Sequence, residues 1–204
     1  MDYILEVKNL VKKYGNFTAV DSISFNIPKG ACYGLLGPNG AGKTTTLESI
    51  EDVIEPTAGE ILYKGEKISH TFNQEAGIQF QETSLLLHLT VKETLETFQK
   101  MYENPLPIEE AIAICHLQEI LHQQNDKISG GQKQRLALAR ALLAGMDSEL
   151  LLLDEPTSHV DLTTEERIFA FLLQLFEEKA FIVSLHRLHL LPRFDWILVM
   201  DDGR

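Results

Sequence analysis

The stretch from Gly37 to Thr44 carries the strongest chemical signal in the chain and reads GPNGAGKT. It follows an apolar run, Cys32 to Leu36, that predicts a strand, and a helical pattern begins at Lys43. A strand, a glycine-rich turn and a helix start are the context in which G-x-x-x-x-G-K-[ST] forms a phosphate site. Backbone N–H groups line such a turn, and the helix directs its positive end at the same point. The residues therefore predict a phosphate-binding loop.

Residues of this loop have separate predicted roles. The glycines Gly37, Gly40 and Gly42 are expected to take positive φ angles and to approach phosphate oxygens without a Cβ clash. Lys43 is expected to reach the β- and γ-phosphates, and the Thr44 hydroxyl to hold Mg²⁺. The loop residues predicted to bind the nucleotide are Gly37, Pro38, Asn39, Gly40, Ala41, Gly42, Lys43, Thr44 and Thr45.

Two adjacent carboxylates follow the apolar run Leu150 to Leu153. A continuous apolar run predicts a parallel strand buried on both faces, and ligands bind beyond the carboxyl ends of such strands. Asp154 is suited to hold Mg²⁺ through its water shell, and Glu155 to polarise an attacking water. Because adjacent strand residues point to opposite faces, the two need not share a role. The alternative is a capping Asp and a solvated Glu.

A second turn of small residues, Ser129 to Gln132, opens another predicted helix. Ser129 is a natural N-cap, and a capped helix N-terminus can receive an anion. Taken alone, the tetrad favours an ordinary capped helix. The apolar face predicted for that helix consists of Leu136, Ala139, Leu142 and Leu143.

Three isolated side chains are further candidates. Tyr14 lies in a predicted turn, where its ring either stacks on an adenine or packs on the protein as an ordinary amphipathic tyrosine. His186 follows the predicted strand Phe181 to Leu185 and is a candidate for a γ-phosphate contact, although a lone histidine is usually structural. Asp161 is expected to cap the helix Leu162 to Phe176.

The remaining patterns predict the elements that position these residues. Alternating apolar residues near the N-terminus predict two half-buried antiparallel strands. Residues 83 to 128 carry no strand pattern and resemble a helical lobe inserted into an α/β chain. The further predicted strands are Glu60 to Tyr63, Gly77 to Phe80 and Trp196 to Met200, and the helices of the lobe are Thr90 to Tyr102, Ile108 to Cys115 and one near Leu117 to His122.

The composition limits the function. The chain has 204 residues, 44% hydrophobic, and suits one globular unit with a core. Its net charge of −12 disfavours nucleic acid and anionic lipid as partners, whereas a local phosphate cradle still binds ATP. Cys32 and Cys115 have no metal-ligand spacing. Cys32 is predicted to be a core residue of the strand before the loop and Cys115 a helix residue, and a reducing, cytosolic setting fits both. No apolar run approaches the ~18 residues of a membrane helix, so a membrane role needs a spanning partner.

The order of these motifs resembles that of the ATP-binding cassette (ABC) ATPases over essentially the whole chain. The SGGQ tetrad before a strand that ends in Asp-Glu is highly specific to that family, and Tyr14 lies where the family has an adenine-stacking aromatic. GKTTT and the stretch Glu82 to Glu93 look most like importer- or exporter-associated single cassettes, particularly those of ABC-2-type drug, lipid or polysaccharide exporters. The motifs in order are GPNGAGKT, Gln81, ISGGQKQR from Ile128 to Arg135, LLLLDEP from Leu150 to Pro156, Ser158 to Asp161, and His186.

This resemblance implies one ABC ATPase domain over residues 1–204 with an α/β fold. Its P-loop NTPase core has a mainly parallel sheet from residues 1–82 and 129–204. An antiparallel β-subdomain lies at the N-terminus, and residues 83–128 form an inserted α-helical subdomain.

The resemblance also implies a mechanism. Two cassettes, a second copy or a paralogue, associate head to tail with ATP between the phosphate loop of one and the SGGQ helix of the other. Glu155 is then the general base, His186 holds the γ-phosphate, and Gln81 senses Mg²⁺ and the attacking water. Residues 82–93 would receive a membrane-spanning subunit, which places the cassette on the cytoplasmic face of a membrane. Further nucleotide contacts implied are Ser129, Gly130, Gly131, Gln132 and Asp161, and the metal contacts are Thr44, Gln81 and Asp154.

Some residues depart from the family pattern. His159 and Val160 replace a small residue and Leu, Leu185 replaces Thr or Ser, and Asp52-Val53 replaces a common Gly-Leu. The chain stops at Arg204, where relatives continue for at least one more strand, which predicts a minimal or truncated cassette or a tail left out. None of the departures removes a residue with a predicted catalytic role.

Two other functions remain open. One is a soluble ABC protein that acts on ribosomes or DNA. Such relatives have two cassettes or a long coiled coil, and this chain shows neither. The other is a regulatory cassette that binds ATP and dimerises without useful turnover, for which His159 and the short C-terminus leave room.

Overall fold

The computed structural model describes residues 2–68, 72, 75–79, 88–144, 148–158, 160–175, 177–185 and 187–204. Gln81, His159, His186 and residues 82–87 lie outside the described residues. The roles predicted for them stay predictions.

The N-terminal part of the chain forms an antiparallel sheet, as its alternating pattern predicts. Its strands are β1 (Tyr3–Tyr14), β2 (Phe17–Pro28), β4 (Ala58–Tyr63) and β5 (Glu66–Lys67), in the order β2-β1-β4-β5. The alternation between buried and exposed residues along β1 and β2 places one face of this sheet against the core.

A second sheet has five strands, and every pair in it is parallel. The order is β6-β7-β8-β3-β9, so β7, β8 and β3 each have a neighbour on both sides. Because the strands are parallel, their carboxyl ends meet at one edge, and three of the predicted site segments begin there. The strands are β3 (Cys32–Leu36), β6 (Ala76–Gln79), β7 (Leu150–Leu153), β8 (Ala180–Leu185) and β9 (Trp196–Val199).

The central strands of the parallel sheet differ in burial from its edge strand β9. All residues of β7 and β8 are buried, because apolar clusters cover both faces of these strands. Within the part of the chain that the structure describes, strand β9 pairs only with β3 and leaves three large side chains exposed. These are Trp196, Ile197 and Val199.

The described helices are α1 (Lys43–Ile50), α2 (Val91–Gln99), α3 (Ile108–Ile114), α4 (Gly130–Leu142) and α5 (Leu162–Leu175). Helix α2 is shorter than predicted and ends at Gln99. The prediction of a helix near Leu117 to His122 was wrong in type, because only a 3₁₀ turn at Gln118–Ile120 forms there. A second 3₁₀ segment spans Leu188–Arg193. Within the described residues, no helix has the length and apolar character that a membrane crossing requires.

Helix α4 joins the helical region to the parallel sheet. The predicted apolar face, Leu136, Ala139, Leu142 and Leu143, is fully buried in one core cluster. Arg135 of the same helix donates hydrogen bonds to the carbonyl oxygens of Cys115 at 3.3 Å and His116 at 2.6 Å. The helix that begins at the Ser129 turn is therefore held by both regions.

Candidate functional site

The phosphate loop begins where β3 ends and stops where α1 begins. Gly42 is the N-cap of α1 with φ 95°, and a Cβ at this position would lie 2.5 Å from the carbonyl oxygen of Ala19. Gly40 also has a positive φ, at 84°. Both conformations favour glycine, as predicted.

The prediction of a positive φ at Gly37 was wrong, because the φ angle of Gly37 is not positive. Glycine is required there for space. A Cβ on Gly37 would lie 2.3 Å from the carbonyl oxygen of Met200, the residue after β9. The start of the loop therefore packs closely against the end of β9.

Lys43 lies at the base of the loop and is only 5% exposed. Its ammonium donates hydrogen bonds to the carbonyl oxygens of Gly37 at 2.8 Å and Pro38 at 3.1 Å. Burial lowers the pKa of Lys43, while the negative charges of Glu155 and Asp154 oppose that shift. The lysine and the two carboxylates, predicted from distant parts of the sequence, thus lie within electrostatic reach of one another.

Asp154 follows β7 and is 2% exposed. Its carboxylate accepts hydrogen bonds from the hydroxyls of Ser184 and Thr44. Burial raises the pKa of Asp154, whereas these two hydrogen bonds lower it. The structure therefore brings together Thr44 and Asp154, two of the residues predicted to hold Mg²⁺.

Glu155 leaves the strand in a left-handed backbone conformation, with φ 48°. Its N–H donates to the Ser184 hydroxyl at 2.8 Å, and its carbonyl oxygen accepts from the Gln134 side chain at 2.7 Å. For a residue with a side chain this conformation costs about 1–3 kcal/mol, and the surrounding bonds must hold it. The predicted base is thus fixed by its backbone on both sides.

Ser184 and Gln134 have contacts in this site that sequence reasoning missed. Ser184 is 1% exposed and bonds both Asp154 and Glu155. The available signal was a single hydroxyl inside the apolar run Phe181 to Leu185, because buried polar groups are nearly always hydrogen-bonded. Gln134 shows no such signal, since polar residues are common on the exposed side of a helix.

The Ser129 turn has a different arrangement. The Ser129 hydroxyl accepts from the Gln132 N–H at 3.3 Å, and the Gln132 side chain accepts from the Ser129 N–H at 2.8 Å, which is a capping box. A groove of about 250 Å³ lies beside this turn and contains no residue of the phosphate loop. It is lined by Ser129, Gly131, Gln132, Arg135, Val160, Asp161 and Thr164.

Two more predicted residues are described. Asp161 caps α5, because its carboxylate accepts from the Thr164 N–H at 3.0 Å. A hydrogen bond from the Thr164 side chain, followed by the one from its N–H, lowers the pKa of Asp161. Tyr14 is 48% exposed at the end of β1, with the Lys12 ammonium 5.1 Å from its ring centroid. Asp161 therefore shares the groove of the Ser129 turn, and Tyr14 belongs to neither group.

A family model described as ABC transporter matches residues 20–158, which include the phosphate loop, the Ser129 turn and the two carboxylates. The chain belongs to the ABC transporter family. The sulfate/thiosulfate import ATP-binding protein CysA of Mycobacterium tuberculosis is 33% identical over 100% of this cassette chain and 60% of its own length. The Fe(3+) ions import ATP-binding protein FbpC of Escherichia coli is 35% identical over 98% of the chain and 60% of its own length.

The ABC cassette also matches solved structures. The dimeric structure of MJ0796, a bacterial ABC transporter cassette, aligns with a TM-score of 0.87 and 26% identity over 98% of this chain and 95% of that chain. A dimeric post-hydrolysis state of the same cassette, bound to ADP and Pi, aligns with a TM-score of 0.84 and 27% identity over the same shares. The predicted α/β fold of a P-loop NTPase cassette is thereby confirmed.

The comparisons set two limits on this identification. The ABC chain spans about three fifths of the length of the curated relatives just named. The more specific resemblance to ABC-2-type exporters is not confirmed, because these relatives are import proteins.

Proposed function

We propose that the chain binds and hydrolyses ATP as the cassette subunit of an ABC transporter. The observation that carries this proposal is the cluster at the carboxyl edge of the parallel sheet. There the phosphate loop, Lys43, Asp154 and Glu155 lie within electrostatic reach of one another. A glycine-rich loop before a helix supplies N–H groups to phosphates, and a nearby carboxylate supplies a base.

The nucleotide phosphates would lie against the backbone of residues 37–45, with Lys43 at the β- and γ-phosphates. The ammonium is already directed at the loop by its bonds to Gly37 and Pro38. Tyr14, half exposed at the end of β1, would stack on the adenine.

The residues present fit Mg²⁺. Thr44 and Asp154 offer a hydroxyl and a carboxylate oxygen side by side, and Mg²⁺ prefers oxygen ligands supplemented by water and phosphate. Among the described residues no group of three or more His, Cys, Asp or Glu is placed to hold a metal alone. Thr44 and Asp154 would hold Mg²⁺ together with the nucleotide, and the ion would supply charge neutralisation for the phosphates.

Glu155 would accept the proton of the water that attacks the γ-phosphate. Its backbone is fixed by hydrogen bonds to Ser184 and from Gln134, and its charge acts on Lys43 of the phosphate loop. Gln81 and His186 would contact the attacking water and the γ-phosphate, as their positions in the family pattern imply.

A second cassette would complete the site. Ser129 and Asp161 line a groove that contains no phosphate-loop residue, which supports a role for them in the ATP site of a partner chain. A head-to-tail partner, a second copy or a paralogue, would bring its Ser129 turn to the γ-phosphate. The two solved cassette structures named above are dimers, which supports the pairing of two cassettes. One helix N-terminus offers an anion only about 0.3–1 kcal/mol in water, so closing on both sides of the phosphate strengthens the grip.

The membrane-spanning subunit is a separate partner. The import relatives support such a partner, and the stretch 82–93 on the helical subdomain of residues 83–128 would receive it. This association would hold the cassette at the cytoplasmic face of the membrane. No role for nucleic acid is proposed, since the chain carries a net charge of −12.

The decisive experiment measures ATP hydrolysis per chain over a wide range of protein concentration. Dimer-dependent turnover predicts that specific activity rises with concentration and then levels off. Sedimentation of the Glu155→Gln variant with ATP and Mg²⁺ should show a dimer that ADP does not support. Specific activity independent of concentration, with no ATP-dependent dimer, would refute the shared site.

A further inference from the structure

A buried carboxylate lies outside the proposed nucleotide site, on α5. Glu165 is 1% exposed, and burying an unpaired carboxylate is costly, so its neighbours matter. The Thr157 hydroxyl donates to it, Arg187 donates to it at 2.8 Å, and the His189 ring nitrogen lies 3.1 Å from it. We refer to Thr157, Glu165, Arg187 and His189 as the Glu165 cluster.

Arg187 contacts more than the carboxylate. The same guanidinium donates to the carbonyl oxygen of Val160 at 3.1 Å and to that of Ser158 at 3.4 Å. These carbonyls belong to the described part of the connection between β7 and α5, namely Thr157, Ser158 and Val160, which we call the 157–160 turn. A planar group with five N–H donors can serve a carboxylate and two carbonyls together, which an ammonium cannot do in the same geometry.

The 157–160 turn is joined to the predicted base at its other end. The Ser158 N–H donates to the carbonyl oxygen of Glu155 at 3.2 Å. Strand β8 therefore holds this part of the chain at two points. Ser184 on the strand bonds Asp154 and Glu155, and Arg187 after the strand bonds the carbonyls of the turn.

Between these two points lies a cavity of about 120 Å³, lined in part by Glu155, Pro156, Ser158, Ser184 and Arg187. Residues that line a cavity lose packing contacts on that side. Val160 packs in a core cluster, whereas Ser158 borders the cavity. The hydrogen bonds from Arg187 to the two carbonyl oxygens therefore supply directional contacts where packing is incomplete.

We propose that Arg187, oriented by Glu165, is a positioning residue for ATP hydrolysis. It holds the 157–160 turn at a fixed distance from the end of β8. This keeps Glu155 on one side and Asp161 on the other where the paired cassette requires them. The inference rests on the proposed function, because the turn acts only in a cassette that closes on ATP.

A charge swap separates positioning from simple ion pairing. Glu165→Arg combined with Arg187→Glu keeps opposite charges in contact, but a carboxylate at position 187 has no N–H to give to Ser158 and Val160. We expect the swap to recover most of the melting temperature lost in Arg187→Glu alone. Turnover should remain about 10- to 100-fold below wild type, the size of effect that a displacement of about 1 Å produces.

Two more variants sharpen the test. Arg187→Lys keeps the charge but loses the fork of donors, and its turnover should fall between those of the wild type and the swap. His189→Gln is the matched control, because His189 contacts Glu165 but has no contact with the turn among the bonds described. Its turnover should stay within about twofold of wild type, and ATP affinity of the separate monomers should be unchanged in every variant.

Hydrogen exchange gives a readout that needs no hydrolysis. The Ser158 and Val160 amides should exchange faster in the swap than in the wild type, and at the wild-type rate in His189→Gln. Wild-type turnover and exchange in the swap would overturn the positioning role, since the pair would then be only structural. A wild-type chain that hydrolyses no ATP at any concentration would instead overturn the proposed function, and the wild-type control shows this before any variant is compared.

Discussion

The phosphate loop and the Ser129 turn both precede a helix, yet their surroundings differ. The loop lies among buried partners from three strands, and Thr44, Asp154 and Ser184 are joined by hydrogen bonds. The Ser129 turn satisfies its own end groups through a capping box and otherwise borders an open groove. The phosphate-loop half of the proposed site, which we call the finished half, has hydrogen-bond partners within the chain. The Ser129 half borders an open groove in which a partner chain would bind.

This difference suggests a division of labour in the proposed function. We expect the nucleotide to bind first to the phosphate loop, whose partners are already hydrogen-bonded to one another. The Ser129 turn would contribute only when a partner chain arrives, so closure would depend on an intact triphosphate between the two. The predictions that follow test each half, beginning with the largest expected effect.

Replacing the base tests the finished half. Glu155→Gln should lower ATP turnover by about 10²- to 10⁴-fold, because an amide cannot accept the proton of the attacking water. ATP binding, measured by equilibrium dialysis, should persist. Lys43→Ala is the contrasting variant and should lose most nucleotide affinity. Full turnover in Glu155→Gln would remove Glu155 from the role of base.

Mixing two inactive variants tests whether the halves come from different chains. Lys43→Ala disables the loop half, and Ser129→Arg blocks the turn half, so each alone should lose about 10²-fold or more in turnover. In a symmetric head-to-tail dimer, mixing them equally should restore about a quarter of the wild-type sites. A mixture no more active than its components would show that both halves act in the same chain.

Removal of the Ser184 hydroxyl, which bonds both Asp154 and Glu155, should have a smaller effect. Ser184→Ala leaves the Glu155 N–H without its partner, and we expect a loss of about 1–3 kcal/mol in stability and about tenfold in turnover. Ser24→Ala is the matched control, since Ser24 accepts from the Asn9 N–H at 2.8 Å on the antiparallel sheet. It should change stability alone. Equal turnover losses in both variants would argue against a specific role for Ser184.

The finished half also contains several acidic residues close together, and Glu51 tests how they affect stability. Burial, followed by the charges of Asp154 and Glu48, raises the pKa of Glu51 from 4.5 to about 8. Because the folded protein holds this proton more tightly than the unfolded chain does, stability should fall as the pH rises from about 4.5 to 8. Glu51→Gln should remove that loss.

We expect Glu51→Gln to stabilise the protein by about 2–4 kcal/mol at pH 8 and much less at pH 5, measured by urea unfolding. Glu55→Gln is the control, because Glu55 also follows α1 in the chain but is exposed. The effect of this substitution on stability should show no such pH dependence. A stabilisation that is equal at both pH values would mean that Glu51 is not protonated in the folded protein.

The sequence predicted the halves unequally well. The strand, loop and helix of the phosphate site followed from local patterns, since the glycines and the apolar run determine the backbone there. The paired carboxylates were found in the same way. Ser184 was missed because its significance comes from two partners 29 and 30 residues away, a pairing that only the sheet order creates.

Other errors have local physical reasons. Gly37 was expected to need a positive φ, but its constraint is the carbonyl oxygen of Met200, which is distant in sequence. The helix expected near Leu117 to His122 forms only a 3₁₀ turn, because so short an apolar pattern does not determine the type of helix. The Glu165 cluster combines residues from three segments, and its charges alone look like an ordinary solvated helix face.

Trp196 on the exposed edge strand β9 can serve as an intrinsic fluorescence probe. Trp196 is the only tryptophan in the sequence, and it is 52% exposed on that edge. Its fluorescence therefore comes from a single place on the molecule, some distance along the strand from Met200 and the start of the phosphate loop. Any segment or subunit that covers the edge should shift the emission to shorter wavelength and slow quenching by acrylamide, without a label.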